Sequence, residues 1–245
     1  MNAQTFAVIL VEPQLGENIG MCARAMWNCG VDDLRLVNPR DGWPSEPARA
    51  AASGADHVID KARVFDSTKD AVADLNFIVA TTARPRDMTK PVFTPEAAAR
   101  DMRRRTDGGQ RTGVLFGKEA WGLHNDDIAL GDAILTVPLN PAFTSLNLAQ
   151  AVLLMSYEWF KLADATPGHE MRIPADTRPA DKVELTNLFE HLESELGNAG
   201  FFTAAEKRPT MVRKLRNMLS RAELTEQEVR MFRGIIKALT LRNRT

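Results

Sequence analysis

The feature of this chain that most limits its fold is a series of short apolar runs with no polar alternation, at residues 6–11, 34–37, 57–59, 77–81, 113–116 and 134–137. A strand with one face in water alternates apolar and polar residues. A continuous apolar run marks a strand buried on both faces, as in a parallel sheet. Between the runs lie helical patterns near 18–29, 46–53, 68–75, 94–105 and 125–130. That βα rhythm predicts a doubly wound α/β domain. A longer helix is expected over 145–162, where Leu148, Val152, Met155 and Trp159 recur at three- and four-residue spacing.

The pattern then changes. Residues 164–180 hold Pro167, Pro174, Pro179 and Gly168 with little apolar content, and read as a linker. Beyond it the periodicity is purely helical. Leu185, Leu188, Phe189, Leu192 and Leu196 make one stripe; Met211, Leu215, Met218 and Leu219 make another. Thr225 and Glu228 form a capping box ahead of Val229, Phe232, Ile236 and Leu239. The expected organisation is an α/β domain over 1–163, a linker over 164–180 and a small α-helical domain over 181–245.

Charge separates the same regions. Residues 201–245 carry 11 Lys/Arg against 4 Asp/Glu, while the whole chain has a net charge of −1. A basic tail on a near-neutral protein suggests a polyanionic partner. No apolar run approaches the roughly 20 residues of a membrane-spanning helix. No basic segment or cleavage site precedes the first strand, so no signal peptide is expected. Cys22 and Cys29 lie too far apart along a helix for a disulfide and read as buried thiols, which fits a reducing cytoplasm.

Three segments sit at the carboxyl ends of expected strands, where open α/β sheets bind ligands. The first runs from Glu12 to Gly20 and is followed by Arg24. If Asn18 caps the helix, both Asn18 and Arg24 reach the loop at its N-terminus. The second, Val114 to Leu123, holds Gly117-Lys118-Glu119. It is one residue short of a phosphate loop, with Glu119 where Ser or Thr must hold magnesium. The third, Val137 to Ala151, enters the long helix through two prolines, with Ser145 as candidate N-cap and Asn147 two residues later. No dinucleotide fingerprint, zinc spacing or nucleophile elbow occurs, and His57, His124, His169 and His191 are scattered. The residues alone give an α/β domain with a ligand site made of three loops, and no metal is expected.

In order and spacing, Asn18-Ile19-Gly20…Arg24, Phe116-Gly117-Lys118-Glu119…Gly122-Leu123 and Val137-Pro138…Ser145-Leu146-Asn147-Leu148-Ala149-Gln150-Ala151 resemble the three motifs of the SPOUT class of RNA methyltransferases. Within it, Val37-Asn38-Pro39, Ala80-Thr81-Thr82-Ala83-Arg84, Phe189-Glu190-His191-Leu192 and Phe232-Arg233-Gly234-Ile235 are similar to the bacterial TrmJ family, which methylates the ribose of cytidine or uridine at position 32 of the tRNA anticodon loop. Lys118 departs from many members of the class.

The resemblance implies a sheet whose C-terminal part is threaded into a trefoil knot, a homodimer with its active site at the interface, and S-adenosylmethionine as methyl donor. By carry-over Arg24 acts from the partner subunit, Asn18 and Glu119 position it and the ribose, and Ser145 and Asn147 hold the ribose or the donor. Thr81, Thr82, Ala83, Gly117, Val137, Leu139, Thr144, Ser145 and Leu146 are the expected donor-binding residues. Arg208, Arg213, Lys214, Arg216 and Arg221 are the expected tRNA-binding face. The alternatives are a ribose methyltransferase for rRNA or another tRNA position, and a knotted RNA-binding protein without catalysis.

Overall fold

The computed structural model describes residues 5–82, 88–168 and 172–241. The chain divides into two compact units, Met1–Thr166 and Pro167–Thr245.

The first unit holds seven strands: β1 (Ala7–Val11), β2 (Asp33–Val37), β3 (Arg63–Phe65), β4 (Phe77–Thr81), β5 (Val92–Phe93), β6 (Thr112–Phe116) and β7 (Ala133–Leu135). All pairings are parallel, in the order β3-β2-β1-β6-β4-β7-β5. Helices α1 (Gly16–Asn28), α2 (Glu46–Ala52), α3 (Asp56–Lys61), α4 (Thr68–Val72), α5 (Pro95–Asp107), α6 (Asn125–Leu130) and α7 (Leu148–Lys161) fill the crossovers and follow the last strand.

The unalternated runs have the cause expected of them. Val8 and Leu10 of β1 enter a core shared with α1, α2, α3, α5 and α7, while Ala7, Ile9 and Val11 enter a second core with α4 and α6. Leu148, Val152, Met155 and Trp159 of α7 are all buried in the first core.

Two expectations change. Residues 57–59 lie in α3, not in a strand. The run is three residues long, too short to separate period two from period 3.6, and Val58 and Ile59 bury as adjacent positions of a short helix. The strand there is the following β3, an edge strand with Val64 exposed. Asn147, not Ser145, caps α7: Asn147 Oδ1 accepts from Ala149 N at 2.8 Å, and Gln150 Oε1 accepts from Asn147 N at 3.1 Å.

On β2 a charge is fully enclosed. The Arg35 side chain has 0% exposure, and its guanidinium donates to Asp33, Asp74 and the Ala71 carbonyl. Arg63 and Arg111 supply further cations to Asp33 and Asp74. Burial pushes the Asp33 carboxyl up, but the Arg35 and Arg63 guanidiniums outweigh it and hold it below the usual range. Asp74 is lowered by Arg35 and Arg111 against the same opposition. Carboxylates held low stabilise the fold above their ordinary range, and that stability drains as pH falls through their folded values. Arg35→Met should therefore cost about 3 kcal/mol at neutral pH, because two carboxylates lose their central partner. It should also shallow the acid limb of the stability curve. Urea unfolding at neutral and acid pH measures both, and an unchanged midpoint would refute the account.

The second unit contains α8 (Lys182–Asn198), α9 (Arg208–Ser220) and α10 (Glu226–Leu241). Leu185, Leu188, Phe189, Leu219, Leu224, Val229 and Ile236 form its small core. The Thr225–Glu228 capping box is present, with Thr225 N donating to Glu228 Oε2 at 2.7 Å. Phe232 and Leu239, expected in the same stripe as Val229 and Ile236, are exposed. The end of the expected linker is tied into this unit: Ala180 N donates to the Leu224 carbonyl, and Pro179 bridges to Thr225. Among the described residues no helix is long and apolar enough to cross a membrane.

Candidate active site

The second and third of the loops expected to carry chemistry meet the carboxyl end of β4, and together they line a cavity of about 370 Å³. The first loop, at the end of β1, contributes no lining residue and is joined to the other two through Asn18. Thr81, Thr82, Gly117, Val137, Leu139, Thr144, Ser145 and Leu146, all expected as donor-binding residues, line the cavity. Ala83, expected with them, lies outside the described residues. Phe116, Leu135, Leu148 and Ala151 add apolar wall that the sequence reading did not single out. Side-chain hydroxyls lock the strand ends: Thr81 Oγ1 donates to the Leu115 carbonyl at 2.9 Å, and Thr136 Oγ1 to the Thr82 carbonyl at 3.1 Å.

Asn18 joins the loops to one another. It is only 4% exposed and sits in the first turn of α1, behind an N-cap position held by Leu15. It is therefore not the helix cap. Its Nδ2 donates to Glu119 Oε1 at 2.7 Å, and its Oδ1 accepts from Asn147 Nδ2 at 3.1 Å. Glu119 Oε2 accepts from Gln14 N at 2.9 Å. One relay thus spans all three segments, and both oxygens of Glu119 are engaged. A carboxylate so occupied orients its neighbours. The same charge adds to burial in pushing the Cys22 thiol up, so this buried cysteine stays protonated.

The Gly117–Leu123 stretch is a tight turn. Gly122 N donates to the Lys118 carbonyl at 2.9 Å, and Lys118 Nζ binds Glu12 Oε2 at 2.6 Å. Gly20, in the first motif, serves packing: a Cβ there would lie 2.1 Å from the Ala48 carbonyl oxygen of α2.

Arg24 and Ser145 are placed differently from the relay. Arg24 is exposed on α1, does not line the cavity, and has no ionic or hydrogen-bond partner among the described residues. Ser145 lines the cavity and is exposed, and its hydroxyl has no hydrogen-bond partner among the described residues. Among the described residues no group of three or more His, Cys, Asp or Glu is arranged to hold a metal.

The basic residues of the second unit divide. Arg213, Lys214 and Arg221 are exposed. Arg208 is exposed with its guanidinium over the Phe202 ring at 5.2 Å. Arg216 instead grips Glu193 with two hydrogen bonds of 2.6 and 2.9 Å, so its fork already has a carboxylate within the fold.

Residues 5–157 match the SpoU rRNA methylase family, and residues 183–245 match the C-terminal domain of the tRNA methyltransferase TrmJ. The chain belongs to the SpoU rRNA methylase family. A similar solved structure is that of TrmJ from Z. mobilis ZM4, 48% identical, with a TM-score of 0.84 over 96% of this chain and 99% of that one. The tRNA (cytidine/uridine-2′-O-)-methyltransferase TrmJ of Citrobacter koseri is 32% identical over 98% of both chains. The tRNA (cytidine/uridine/adenosine-2′-O-)-methyltransferase TrmJ of Pseudomonas aeruginosa is 32% identical over 94% of this chain and 91% of its own. The three loops of the relay thus fall within the SpoU match, and the helical unit within the TrmJ match.

Proposed function

We infer that the chain methylates a ribose 2′-hydroxyl of tRNA, with cytidine or uridine 32 of the anticodon loop as its target and S-adenosylmethionine as donor. The observation that carries this reading is the Asn147–Asn18–Glu119 relay, which ties the three loops together beside a cavity that Glu119 lines. Near-full-length similarity to tRNA 2′-O-methyltransferases supports it.

The cavity suits the donor. Its apolar walls and strand-end backbone groups match an adenosine, and its volume falls in the range of small-molecule sites. Gly117, Val137 and Leu139 would offer backbone groups to the adenine, and Thr81, Thr82, Thr144, Ser145 and Leu146 would complete the cradle. When bound, the donor supplies a methyl group on a sulfonium.

The chain's own residues then have three tasks. Ser145 and Asn147 hold the ribose edge. Glu119 and Asn18 fix the first and second loops, so the hydroxyl arrives aligned. Arg24, supplied by the partner subunit of a homodimer, stabilises the developing alkoxide and grips the adjacent phosphate. A guanidinium stays protonated at working pH, so it acts as a cation and not as a base. The dimer is supported by Met21 on α1 and by Leu153, Tyr157 and Phe160 on α7, large apolar side chains that this chain alone leaves exposed. The trefoil knot of the class belongs to the same reading. It is supported by a sheet in which β6 and β7 are inserted between strands formed earlier in the chain. tRNA places the work in the cytoplasm.

The division of labour proposed between an α/β catalytic unit and an RNA-binding helical extension gives the test. The full chain should transfer methyl groups from S-adenosylmethionine to tRNA, with the product mapped at ribose 32. A chain ending at residue 166 should keep donor affinity but methylate tRNA at least about tenfold more slowly, having lost the phosphate contacts of Arg208, Arg213, Lys214 and Arg221. Calorimetry and methyl-transfer rates read the two. Undiminished tRNA methylation by the shortened chain would end the role given to the helices. No transfer by the full chain would end the functional reading.

A further inference from the structure

Trp121 has no part in the mechanism above, yet the chain holds it in a costly position. Its indole is 68% exposed, and among the described residues it is the one large exposed apolar side chain that lines the cavity. The inner wall is different: Phe116, Leu135 and Leu148 are buried. The indole is thus the solvent-facing apolar surface of a cavity whose other large apolar lining residues are buried or half-buried.

The backbone that carries this ring is rigid and strained. Ala120 and Gly122, on either side of Trp121, have φ of 66° and 73°. Alanine enters the left-handed region at a cost, and such outliers persist only where the surroundings enforce them. Here they do. Lys118 and Gly122 form an antiparallel bridge across the turn, Glu12 holds the Lys118 ammonium at 2.6 Å, and Leu123 is buried at the turn's end. The turn is thus fixed on both sides of an indole left in water. Glu119 of the relay is two residues away and Ser145 lines the same cavity.

We propose that Trp121 is the stacking platform for the nucleobase of the target nucleotide, a substrate-positioning residue for the methyl transfer. This rests on the functional reading above. Bases in single-stranded RNA loops are unstacked and readily laid on aromatic rings. Holding the base flat against a fixed indole sets the rotation of the attached ribose and so the approach of its 2′-hydroxyl. A π-face is offered by every base, so stacking positions the nucleotide while tolerating its identity. A site of this kind accepts cytidine and uridine at similar rates.

The test uses the full chain with an unmodified tRNA transcript. Trp121→Ala should lower kcat/KM for tRNA by about tenfold or more, the usual effect of removing one base-stacking ring. Donor affinity by calorimetry should stay within about twofold. Trp121→Phe should recover most of the activity, since it keeps a ring. Cytidine and uridine substrates should fall by the same factor. Full activity of Trp121→Ala overturns the proposal. So does a parallel loss of donor affinity, which would make the ring part of the donor pocket, or a phenylalanine variant as poor as the alanine one. A second readout does not depend on turnover: a short pyrimidine oligonucleotide should quench indole emission in the parent chain and much less in Trp121→Phe. If the parent chain methylates no tRNA but this quenching occurs, the functional reading fails and the stacking role stands. Equal quenching in both chains overturns the stacking role by itself.

Discussion

Replacing Arg24 by alanine is expected to slow methyl transfer about a hundredfold or more while donor affinity stays within about twofold. The reasoning is electrostatic. A hydroxyl that gives up its proton during attack leaves charge on oxygen, and removing one preorganised donor from such a charge typically costs a factor of 10² to 10³. Arg24 does not line the cavity proposed for the donor, so its loss leaves the walls unchanged. Lysine should rescue poorly, because an ammonium cannot engage phosphate and alkoxide as a planar fork does. Rapid-quench turnover together with calorimetry measures both quantities. Activity near that of the parent chain would remove Arg24 from the mechanism.

The second large effect is expected at Gly117. A Cβ on this residue would lie 2.1 Å from the Gly122 carbonyl carbon and 2.2 Å from the Leu123 nitrogen. These are backbone atoms of the facing side of the turn, and no rotamer change can relieve the clash. Gly117→Ala must open the turn, moving Glu119 away from Asn18 and breaching the cavity wall. Donor affinity should fall at least about tenfold, and Tm should drop by several degrees, as for a loss of about 1–3 kcal/mol. Gly234→Ala is the control. Its Cβ would meet nothing within 4 Å, and a helix-interior alanine should leave Tm equal or higher. Donor binding by Gly117→Ala at parental affinity would show that the turn does not shape the pocket.

The two variants together test whether the site is shared. In the homodimer proposed above, co-expressed Arg24→Ala and Gly117→Ala chains would form mixed dimers. If Arg24 serves the partner's cavity, one site in each mixed dimer combines an intact cavity with an intact guanidinium, and activity returns. If Arg24 serves its own cavity, both sites stay impaired.

What could be read from sequence follows the range of each interaction. The central strands were legible because both faces are buried, which removes polar residues from the run. β5, two residues long, and β3, with an exposed valine, carry no such signal. The start of α7 was legible in principle: Asn147 and Gln150 have capping-box spacing, and the preceding Ser145 only diverted the reading. The residues expected to bind the donor came from the motif resemblance, and those within the described residues line one cavity. The relay was not legible. Asn18 meets partners 101 and 129 residues away, and no local pattern encodes such a meeting. Nor does local pattern reveal that Arg216 is engaged by Glu193, while its neighbours Arg213 and Lys214 stay exposed.

The strand order also bears on how the molecule is made. β6 pairs on one side with β1, from which it is separated by about a hundred residues, and on the other with β4. A ribosome therefore releases both flanking strands long before the one that joins them exists, and each waits with an open edge. Such non-local pairing slows folding and leaves a nascent chain exposed to aggregation. This polypeptide should consequently lean on chaperones during synthesis, and should refold from denaturant far more slowly than a helical protein of its length.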